Sequence, residues 1–289
     1  MEKNYGDASW SDLLTSIGGQ SLTADEIGNL LSDGTWTYTW QHGRQLAGMS
    51  KTGTNIAYGY DSDGRRITKT VNGTAYNYHY LGDQLVELTW GGNKLHFTYD
   101  SAGPLSVSYN GTEYFYVKNA QGDVTGLVSA SGTRVVTYTY DAWGDPLATT
   151  GSMAATLGAQ NPLRYRGYVY DTETGLYYLQ SRYYNPGWGR FINTDDTALL
   201  LSAPGKAHWD KNVFAYCDNN PLNRVDEDGE CWDIIIGGIV GGIVSGASTI
   251  VNDAIMGRET TVGSVLNSVL VGAVAGMASS TALLLFTNI

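Results

Sequence analysis

Two acidic motifs have the spacing of metal-binding carboxylates. Asp61-x-Asp63-Gly64 and Asp226-x-Asp228-Gly229 begin as a calcium-binding loop does, with acids on alternate residues ahead of a glycine. The acidic residue that closes such a loop is absent at the required distance in both motifs. The spacing therefore predicts turns rather than calcium sites.

The histidines and cysteines give no other pattern that would hold a metal. His42, His79, His96 and His208 have no regular ligand spacing, and Cys217 and Cys231 lie in neither a CxxC nor a Cys/His spacing. We expect two unbridged thiols, since two cysteines are too few for a disulfide scaffold. No phosphate-binding glycine loop or GxSxG elbow occurs. The sequence thus predicts no metal, no cofactor and no small-molecule substrate.

The elements that must position these residues are strands. Residues 163–195 read LRYRGYVYDTETGLYYLQSRYYNPGWGRFINTD, in which aromatic residues alternate between turn formers. Tyr168 and Tyr170, and then Tyr177 and Leu179, have the two-residue period of a strand with one apolar face. Thr-Gly at 174–175 and Asn-Pro at 185–186 mark turns. The stretch is predicted to be strand, turn, strand.

Residues 22–160 contain an internal repeat of about twenty residues. Each unit is an alternating aromatic strand, such as TWTYTW at 35–40, followed by a polar turn with glycine. So short a unit cannot bury an apolar face alone, and neighbouring units must therefore stack into one sheet. In each turn the Asp accepts hydrogen bonds from backbone amides and the Gly supplies a positive φ. The Tyr-Asp pairs are Tyr60-Asp61, Tyr99-Asp100, Tyr140-Asp141 and Tyr170-Asp171.

Composition supports a mainly β fold. The 289 residues include 21 Tyr, 8 Trp and 37 Gly, a mixture that suits half-exposed strands and many turns. The formal net charge of −11 opposes contact with phosphate backbones, so we predict no nucleic-acid partner. The N-terminus, MEKNYGDASWSDLL, has no secretory signal.

The segments YDTETGLYYLQSRYYNPGWGRFI and NVFAYCDNNPLNRVDEDG together resemble the closing part of bacterial RHS proteins, which are YD-repeat proteins. The resemblance covers most of residues 13–229. It implies an antiparallel strip of sheet that curves into a hollow shell, of which this chain supplies the last arc. The expected parts are a lead-in over 1–21, YD repeats over 22–160, the RHS repeat-associated core over 161–229 and a variable C-terminal segment over 230–289.

The same resemblance implies one catalytic hypothesis, release of the C-terminal segment by a pair of aspartates. Asp195 matches the Asp after GRFI, and Asp226 matches the Asp of the family's terminal signature. Two carboxylates held close share a proton, so that one activates water and the other acts as the acid. The alternative is that both aspartates cap turns, and three replacements depart from the cleavage pattern: Asp196, Glu227 and Glu230.

The C-terminal segment has a different composition from the repeats. Residues 234–251 and 262–286 carry no charge, and a polar connector separates them, which predicts an apolar α-helical hairpin. The second stretch is long enough to span a bilayer. Glycines four residues apart would let two helices approach closely in a membrane. A hairpin buried inside a protein shell fits the same pattern.

The leading functional prediction is a non-catalytic structural module at the end of a polymorphic-toxin-like protein. The alternatives are an aspartyl autoprotease, a membrane-inserting effector acting through residues 234–286, and a sugar-binding surface of Trp and Tyr side chains. The resemblance implies an extracellular or cell-surface toxin system. The expected partners are the rest of a shell, a cognate immunity protein, or a membrane.

Overall fold

The computed structural model describes residues 2–101, 103–195, 212–226 and 229, and nearly all of their regular structure is β-strand. The chain divides into two compact units. The first comprises residues 1–219 and 226–231, and the second comprises residues 220–225 and 232–289. In the second unit the described residues form a turn, in which the Asn223 amide donates to the Asn220 carbonyl (3.2 Å).

The described residues of the first unit form three antiparallel sheets, and within each sheet the strands follow chain order. The N-terminal sheet contains β1 (Lys3–Asn4), β2 (Ser16–Ile17) and β3 (Gln20–Ser21). The main sheet has fourteen strands: β4 (Thr23–Ala24), β5 (Leu30–Ser32), β6 (Thr37–Gln41), β7 (Gln45–Lys51), β8 (Thr54–Tyr60), β9 (Arg66–Val71), β10 (Thr74–Leu81), β11 (Gln84–Trp90), β12 (Asn93–Asp100), β13 (Gly103–Tyr109), β14 (Thr112–Lys118), β15 (Val124–Ser129), β16 (Arg134–Tyr140) and β17 (Pro146–Thr150). The third sheet contains β18 (Val169–Asp171), β19 (Leu176–Leu179), β20 (Arg182–Asn185) and β21 (Arg190–Phe191). Short helical turns are a π-helix at Ala154–Gly158 and 3-10 helices at Tyr165–Gly167 and Cys217–Asn219.

The predicted alternation of faces is confirmed in the main sheet. Trp36 and Tyr38 are buried, whereas Thr37 and Thr39 are exposed. In β10 the ring of Tyr78 is 3% exposed, and the residues on either side of it face solvent. One face of the sheet therefore carries an aromatic and aliphatic core, and the other carries threonines and other polar residues.

The repeated turn follows the predicted chemistry. Asp61 Oδ1 accepts hydrogen bonds from the amides of Asp63 (3.0 Å) and Arg65 (2.9 Å), and Gly64 has a φ of 82°. Asp141 Oδ1 accepts in the same way from Trp143 (2.8 Å) and Asp145 (2.9 Å). The carboxylate thus satisfies two amides that would otherwise lack partners in a tight hairpin.

The tyrosines of three of the four Tyr-Asp pairs have a role that the sequence did not reveal. A register shift falls immediately before Tyr60, Tyr99 and Tyr140, where each strand enters its turn. The hydroxyls of these residues donate to the carbonyls of Leu46 (2.8 Å), Leu85 (2.7 Å) and Val124 (2.8 Å), respectively. A β-bulge changes the direction in which a side chain points. Here the shift accompanies a tyrosine side chain whose hydroxyl reaches a backbone carbonyl of another strand or loop.

The third sheet, together with residues 212–219, forms a plug that packs on the aromatic face of the main sheet. The Tyr60 and Tyr183 hydroxyls lie 2.9 Å apart, and the Arg66 amide donates to the Tyr178 hydroxyl (2.8 Å). The plug has four strands, because Gln180, at a φ of 60°, makes an additional tight turn between β19 and β20. The two predicted turns, at 174–175 and 185–186, lie between β18 and β19 and between β20 and β21.

The prediction of a mainly β, antiparallel fold is confirmed. The predicted apolar helical hairpin over 230–289 lies outside the described residues. Among the residues that are described, no helix is both long and apolar enough to cross a membrane.

Candidate functional site

Asp195 and Asp226 come together on Arg182, the first residue of β20. Arg182 Nη2 lies 3.3 Å from Asp195 Oδ2 and 3.2 Å from Asp226 Oδ2. Asp195 follows β21, which pairs with β20, and this pairing brings Asp195 back beside Arg182. The structure therefore brings together the two aspartates that the sequence singled out. Their catalytic role stays a prediction.

The guanidinium of Arg182 is also bound by backbone carbonyls and by a ring. Its Nε donates to the Gly229 carbonyl, its Nη1 donates to the Val213 carbonyl (3.2 Å), and its plane lies 3.7 Å from the centre of the Phe191 ring. A buried cation without such partners would be strongly destabilising. The guanidinium of Arg182 thus fixes the position of Gly229, the last residue described.

Gly229 is held at a place where only glycine fits. Its φ is 79°, and a Cβ built on it would lie 2.8 Å from both the Leu179 carbonyl oxygen and Ser181 Oγ. Its amide donates to Asp226 Oδ1 (2.9 Å). Asp226, 2% exposed, therefore caps the backbone at Gly229 while it pairs with Arg182. This capping is the turn role that the sequence offered as the alternative to catalysis.

Asp195 is positioned by a residue of the first repeats. Arg44 Nη1 donates to the carbonyls of Thr194 (2.7 Å) and Asp195. The Thr194 hydroxyl donates in turn to the Ile27 carbonyl (3.0 Å), and the Asp195 amide donates to the Val213 carbonyl (3.2 Å). The segment that carries Asp195 is thus fixed both by the main sheet and by the plug.

Arg190, the first residue of β21, stacks on aromatic rings. Its guanidinium lies 4.7 Å from the centre of the Phe214 ring and 5.6 Å from that of Tyr5. Its Nη2 donates to the Asp12 carbonyl (2.9 Å). Burial lowers the pKa of Arg190. These contacts join the plug to the N-terminal residues Tyr5 and Asp12.

A second group of charges, which the sequence did not indicate, lies between plug and main sheet. Asp171, at the end of β18, accepts from both Nη atoms of Arg66 (2.5 and 3.1 Å) and from Lys69 Nζ (3.0 Å). Lys69 Nζ also lies 2.8 Å from Glu173 Oε2. Burial opposes ionisation of Asp171, but the positive charges of Arg66 and Lys69 hold its pKa below the ordinary value.

Tyrosine rings surround Arg66. The guanidinium carbon lies 4.5 Å from the ring centre of Tyr178 and 4.8 Å from that of Tyr78, with Tyr58 and Tyr183 slightly farther away. Burial raises the pKa of Tyr178 to about 12. The cluster is therefore a cation enclosed by neutral phenols and one carboxylate. Its geometry suits docking of two sheets, because each charged group is already paired within the protein.

The calcium-like motif in the repeats is used for a turn. Arg65 Nε lies 3.0 Å from Asp61 Oδ2, and Arg65 Nη2 lies 2.8 Å from Asp63 Oδ2. A cation already occupies the position of a metal ion there. Across the described part of the chain, no group of three or more His, Cys, Asp or Glu side chains could hold a metal.

The remaining histidines and cysteines add little to the site. His42 Nδ1 lies 3.1 Å from Gln45 Oε1, and His96 Nδ1 lies 3.9 Å from Glu87 Oε2 at the surface. Cys217 is buried. His208 and Cys231 lie outside the described residues, so the predicted state of the two thiols stays a prediction.

A cleft of about 770 Å³ adjoins the Arg182 site. Hairpin turns of the first repeats form one wall, and the turn between β19 and β20 forms the other. Its lining is polar, apart from the rings of Tyr60 and Tyr183, and includes Arg44, Gln45, Asp63, Gly64, Arg65, Asp83, Gln84, Gln180 and Ser181. Arg44 and the β19–β20 turn thus belong both to the cleft and to the site around Arg182.

Comparison with known proteins identifies a family model that matches this chain and several proteins of similar sequence. Residues 9–222 match the family model described as Teneurin YD-shell. The tRNA3(Ser)-specific nuclease WapA of Bacillus spizizenii is 42% identical over 236 residues, which cover 78% of this chain and 10% of that protein. The probable deoxyribonuclease RhsB of Dickeya dadantii is 30% identical over 209 residues, which cover 66% and 13%.

A solved structure has a similar fold. The crystal structure of TcdB2-TccC3-Cdc42 aligns with a TM-score of 0.51 at 20% identity, over 76% of this chain and 11% of that one. At this identity the likeness concerns the fold alone. The chain spans about a tenth of the length of the curated relatives it matches.

Proposed function

The chain belongs to the YD-shell family of RHS and YD-repeat proteins, and from this premise we propose that it closes one end of such a shell and fixes the point where the C-terminal segment begins. Residues 22–160 would supply the wall, and the RHS repeat-associated core over 161–229, which contains the plug, would close it. The observation that carries the proposal is the hydrogen bond from Arg182 Nε to the Gly229 carbonyl. The same guanidinium pairs with Asp195, which follows β21.

The contacts of the plug support a structural role. Arg44 reaches Asp195 from 151 positions away, and Arg66 reaches Asp171 from 105 positions away. Both contacts tie separate repeats to the plug, so they can form only after residues 163–229 are present. A closing element needs this property, because it must join parts of the wall that are distant in the chain.

We also propose that the module acts within a toxin system outside the producing cell. WapA and RhsB are named as nucleases, and their matched regions are a small part of each protein. The variable segment over 230–289 would be the part that differs between such proteins. Other shell segments or a cognate immunity protein would be its partners. The prediction that this chain binds no nucleic acid stays a prediction.

Hydrogen exchange measured by mass spectrometry tests the closing role. Arg182→Met keeps much of the apolar stem and removes every donor of the guanidinium. Peptides that cover residues 212–229 are expected to exchange at least tenfold faster in this variant, while peptides from β10 to β13 keep their protection. Arg134→Met is the matched control, because Arg134 Nη2 donates only to the Thr125 carbonyl and hydroxyl on the exposed side of the sheet. Unchanged exchange over 212–229 would contradict the proposal.

Self-cleavage is the second candidate, favoured by the meeting of Asp195 and Asp226. A shared proton would let one carboxylate activate water while the other protonates the leaving amine. The contacts of Arg182 favour the structural role first, because its guanidinium pairs with both carboxylates and also binds the Gly229 carbonyl. Intact mass spectrometry over several days separates the two candidates. Cleavage near Gly229 that Asp226→Asn abolishes would establish the protease, and a single full-length mass excludes it.

Membrane insertion through residues 234–286 stays a prediction, since these residues lie outside those described. A dye-release assay with the isolated segment tests it. Leakage from vesicles at micromolar peptide would support an effector role, and its absence would leave the segment as cargo of the shell.

A further inference from the structure

Six successive strand pairs of the main sheet share a register shift at the same point of the repeat. The pairs are β6–β7, β8–β9, β10–β11, β12–β13, β14–β15 and β16–β17. On the second strand of each pair, the residues beside the shift are Leu46, Arg66, Leu85, Pro104, Val124 and Pro146. Five of these six residues are apolar. The exception, Arg66 of β9, is as fully buried as Leu46, its equivalent in β7.

The position three residues farther along the same strands has the same kind of exception. Its residues are Met49, Lys69, Leu88, Val107, Leu127 and Thr149. Lys69 is 5% exposed and is the one charged residue of this set. β9 therefore carries two buried cations at positions where the equivalent strands β7 and β11 carry buried apolar side chains.

The acidic groups that pair with these two cations belong to the plug. Asp171 lies 2.5 Å from Arg66 Nη1 and 3.0 Å from Lys69 Nζ, and Glu173 lies 2.8 Å from Lys69 Nζ. The side chains of Arg66 and Asp171 are completely buried. A plug placed one repeat away would leave the carboxylate of Asp171 against apolar side chains and would leave the cations of β9 without it. Buried charges that lose their partners in this way are strongly unfavourable.

Other contacts between the plug and the main sheet use groups that recur along the sheet. The Tyr177 hydroxyl donates to a backbone carbonyl, that of Gly144 (2.8 Å). The Tyr183 hydroxyl lies 2.9 Å from that of Tyr60, and Tyr80 holds the position of Tyr60 in the next repeat. Each repeat contains two strands, so equivalent positions lie about 10 Å apart along the sheet. Contacts of this kind do not distinguish one repeat from the next.

We propose that Arg66 and Lys69 select the repeat on which the plug docks, by pairing with Asp171. A buried polar or charged group in an otherwise apolar contact is an effective device against alternative registers. Gly229 is bound to the plug through Arg182, so this selection also sets where along the sheet the C-terminal segment begins. The inference rests on the proposed closing function and names the residues that place the closure.

Photo-crosslinking from the plug measures the docking position. In the full-length protein p-benzoylphenylalanine replaces Tyr183, whose ring lies 5.6 Å from that of Tyr58, and peptide mass mapping identifies the strands that it reaches. An apolar variant combines Arg66→Leu, Lys69→Leu and Asp171→Leu. It removes both cations together with the anion they share, so no fully buried charge loses its partner, and replacements of this kind often preserve stability.

A second variant and a control complete the design. The transposed variant keeps Asp171, makes the Leu changes at Arg66 and Lys69, and adds Leu85→Arg and Leu88→Lys, which place the two cations on β11. Lys94→Leu is the control, because it removes a cation that is 56% exposed and lies 3.1 Å from a carboxylate of its own sheet.

The unmodified sequence and Lys94→Leu should give at least nine-tenths of their crosslinks in β8 and β9. In the apolar variant at least a third should fall in β6, β7, β10 or β11, while unfolding stays cooperative. In the transposed variant most should fall in β10 and β11. If the transposed variant does not fold, the apolar variant decides alone.

Two results with the apolar variant would overturn the proposal. An unchanged crosslink pattern would mean that other contacts fix the position of the plug. Loss of the cooperative unfolding transition would mean that the charges serve stability rather than selection.

These outcomes are separable from that of the closing function. If Arg182→Met releases residues 212–229 and the apolar variant keeps its crosslinks in β8 and β9, the plug holds Gly229 but its repeat is chosen by other contacts. If the crosslinks move as expected and Arg182→Met changes nothing, the selection of the repeat holds and the role assigned to Arg182 is wrong.

Discussion

Asp171 shows how one residue of a repeated motif can take a different role. The other aspartates of this kind, such as Asp61 and Asp141, accept from amides of their own turn. Asp171 instead presents its carboxylate to Arg66 and Lys69 across the contact between plug and main sheet. Paired in this way, the charge costs less to bury, and it specifies which part of the sheet the plug meets.

Removal of this charge should destabilise the protein strongly. In Asp171→Asn the cations of Arg66 and Lys69 stay buried with their main anion lost, so we expect a loss of about 3–5 kcal/mol in the free energy of unfolding. Asp83→Asn is the control, because Asp83 is 82% exposed and lies 3.9 Å from Arg65. That change should cost less than about 0.5 kcal/mol. Guanidinium denaturation followed by tyrosine and tryptophan fluorescence measures both, and a similar small cost for the two variants would refute this role of Asp171.

The same carboxylate predicts a dependence of stability on pH. Arg66 and Lys69 hold the pKa of Asp171 below its ordinary value of 3.8. The unfolded chain therefore takes up the proton first as the pH falls. The contribution of Asp171 should be complete above about pH 5 and should be lost as the pH falls through the folded pKa. The difference in unfolding free energy between wild type and Asp171→Asn, measured from pH 7 to pH 2.5, should stay constant at first and then shrink. A difference that grows on acidification would show that the sign is wrong.

At the scale of the element, the repeated hairpins were predictable because their chemistry is local. The Asp and Gly of each turn act within five residues of each other, and the aromatic period of two fixes which face is buried. The turn at Gln180 was not predictable in this way. Gln-Ser is a poor turn sequence, and this turn is supported by its surroundings, including the close approach of Gly229.

Two turn glycines allow conformational strain to be separated from packing. Gly43 and Gly144 both have a positive φ, 83° and 86°, but a Cβ on Gly43 would meet nothing within 4 Å. A Cβ on Gly144 would lie 2.5 Å from the ring of Tyr165. Both Ala variants should lose about 1–2 kcal/mol from the left-handed backbone. Gly144→Ala should lose about 1–3 kcal/mol more, since Tyr165 must move.

Thermal unfolding of the two variants under identical conditions checks this expectation. The midpoint of Gly144→Ala should be the lower by several degrees. If the two midpoints coincide, Tyr165, which lies just before β18, is free to shift, and this turn does not help to position the plug.

At the scale of the molecule, the sequence predicted the wall better than the closure. Each strand of the main sheet pairs with its neighbour in the chain, so the sheet order follows from the repeat itself. The closure depends on contacts such as Tyr60 with Tyr183, which are 123 positions apart and carry no local signal. The aspartate pair was found through the family motif, whereas its partner, Arg182, emerged only from the geometry.

The wall forms from contacts between neighbouring strands, whereas the plug is held by contacts between residues far apart in the chain. This difference predicts how much of the chain is needed for stable folding. A chain of residues 1–160 keeps the repeats but leaves the inner rings of Tyr58 and Tyr78 uncovered and removes the anion that Arg66 and Lys69 require. An open sheet with such a face should associate rather than unfold cooperatively. A chain of residues 1–229 retains the plug and the contacts of Arg182 and should unfold in one transition.

Sedimentation and urea unfolding followed by near-ultraviolet circular dichroism distinguish the two chains. The shorter one is expected to aggregate at micromolar concentration and to lack a sharp transition, and the longer one to remain soluble with a transition close to that of the full chain. A monomeric, cooperatively unfolding 1–160 would mean that the repeats form a stable sheet by themselves. The plug would then be an addition to a finished fold, because contacts made across more than 100 positions would not be required for the wall to form.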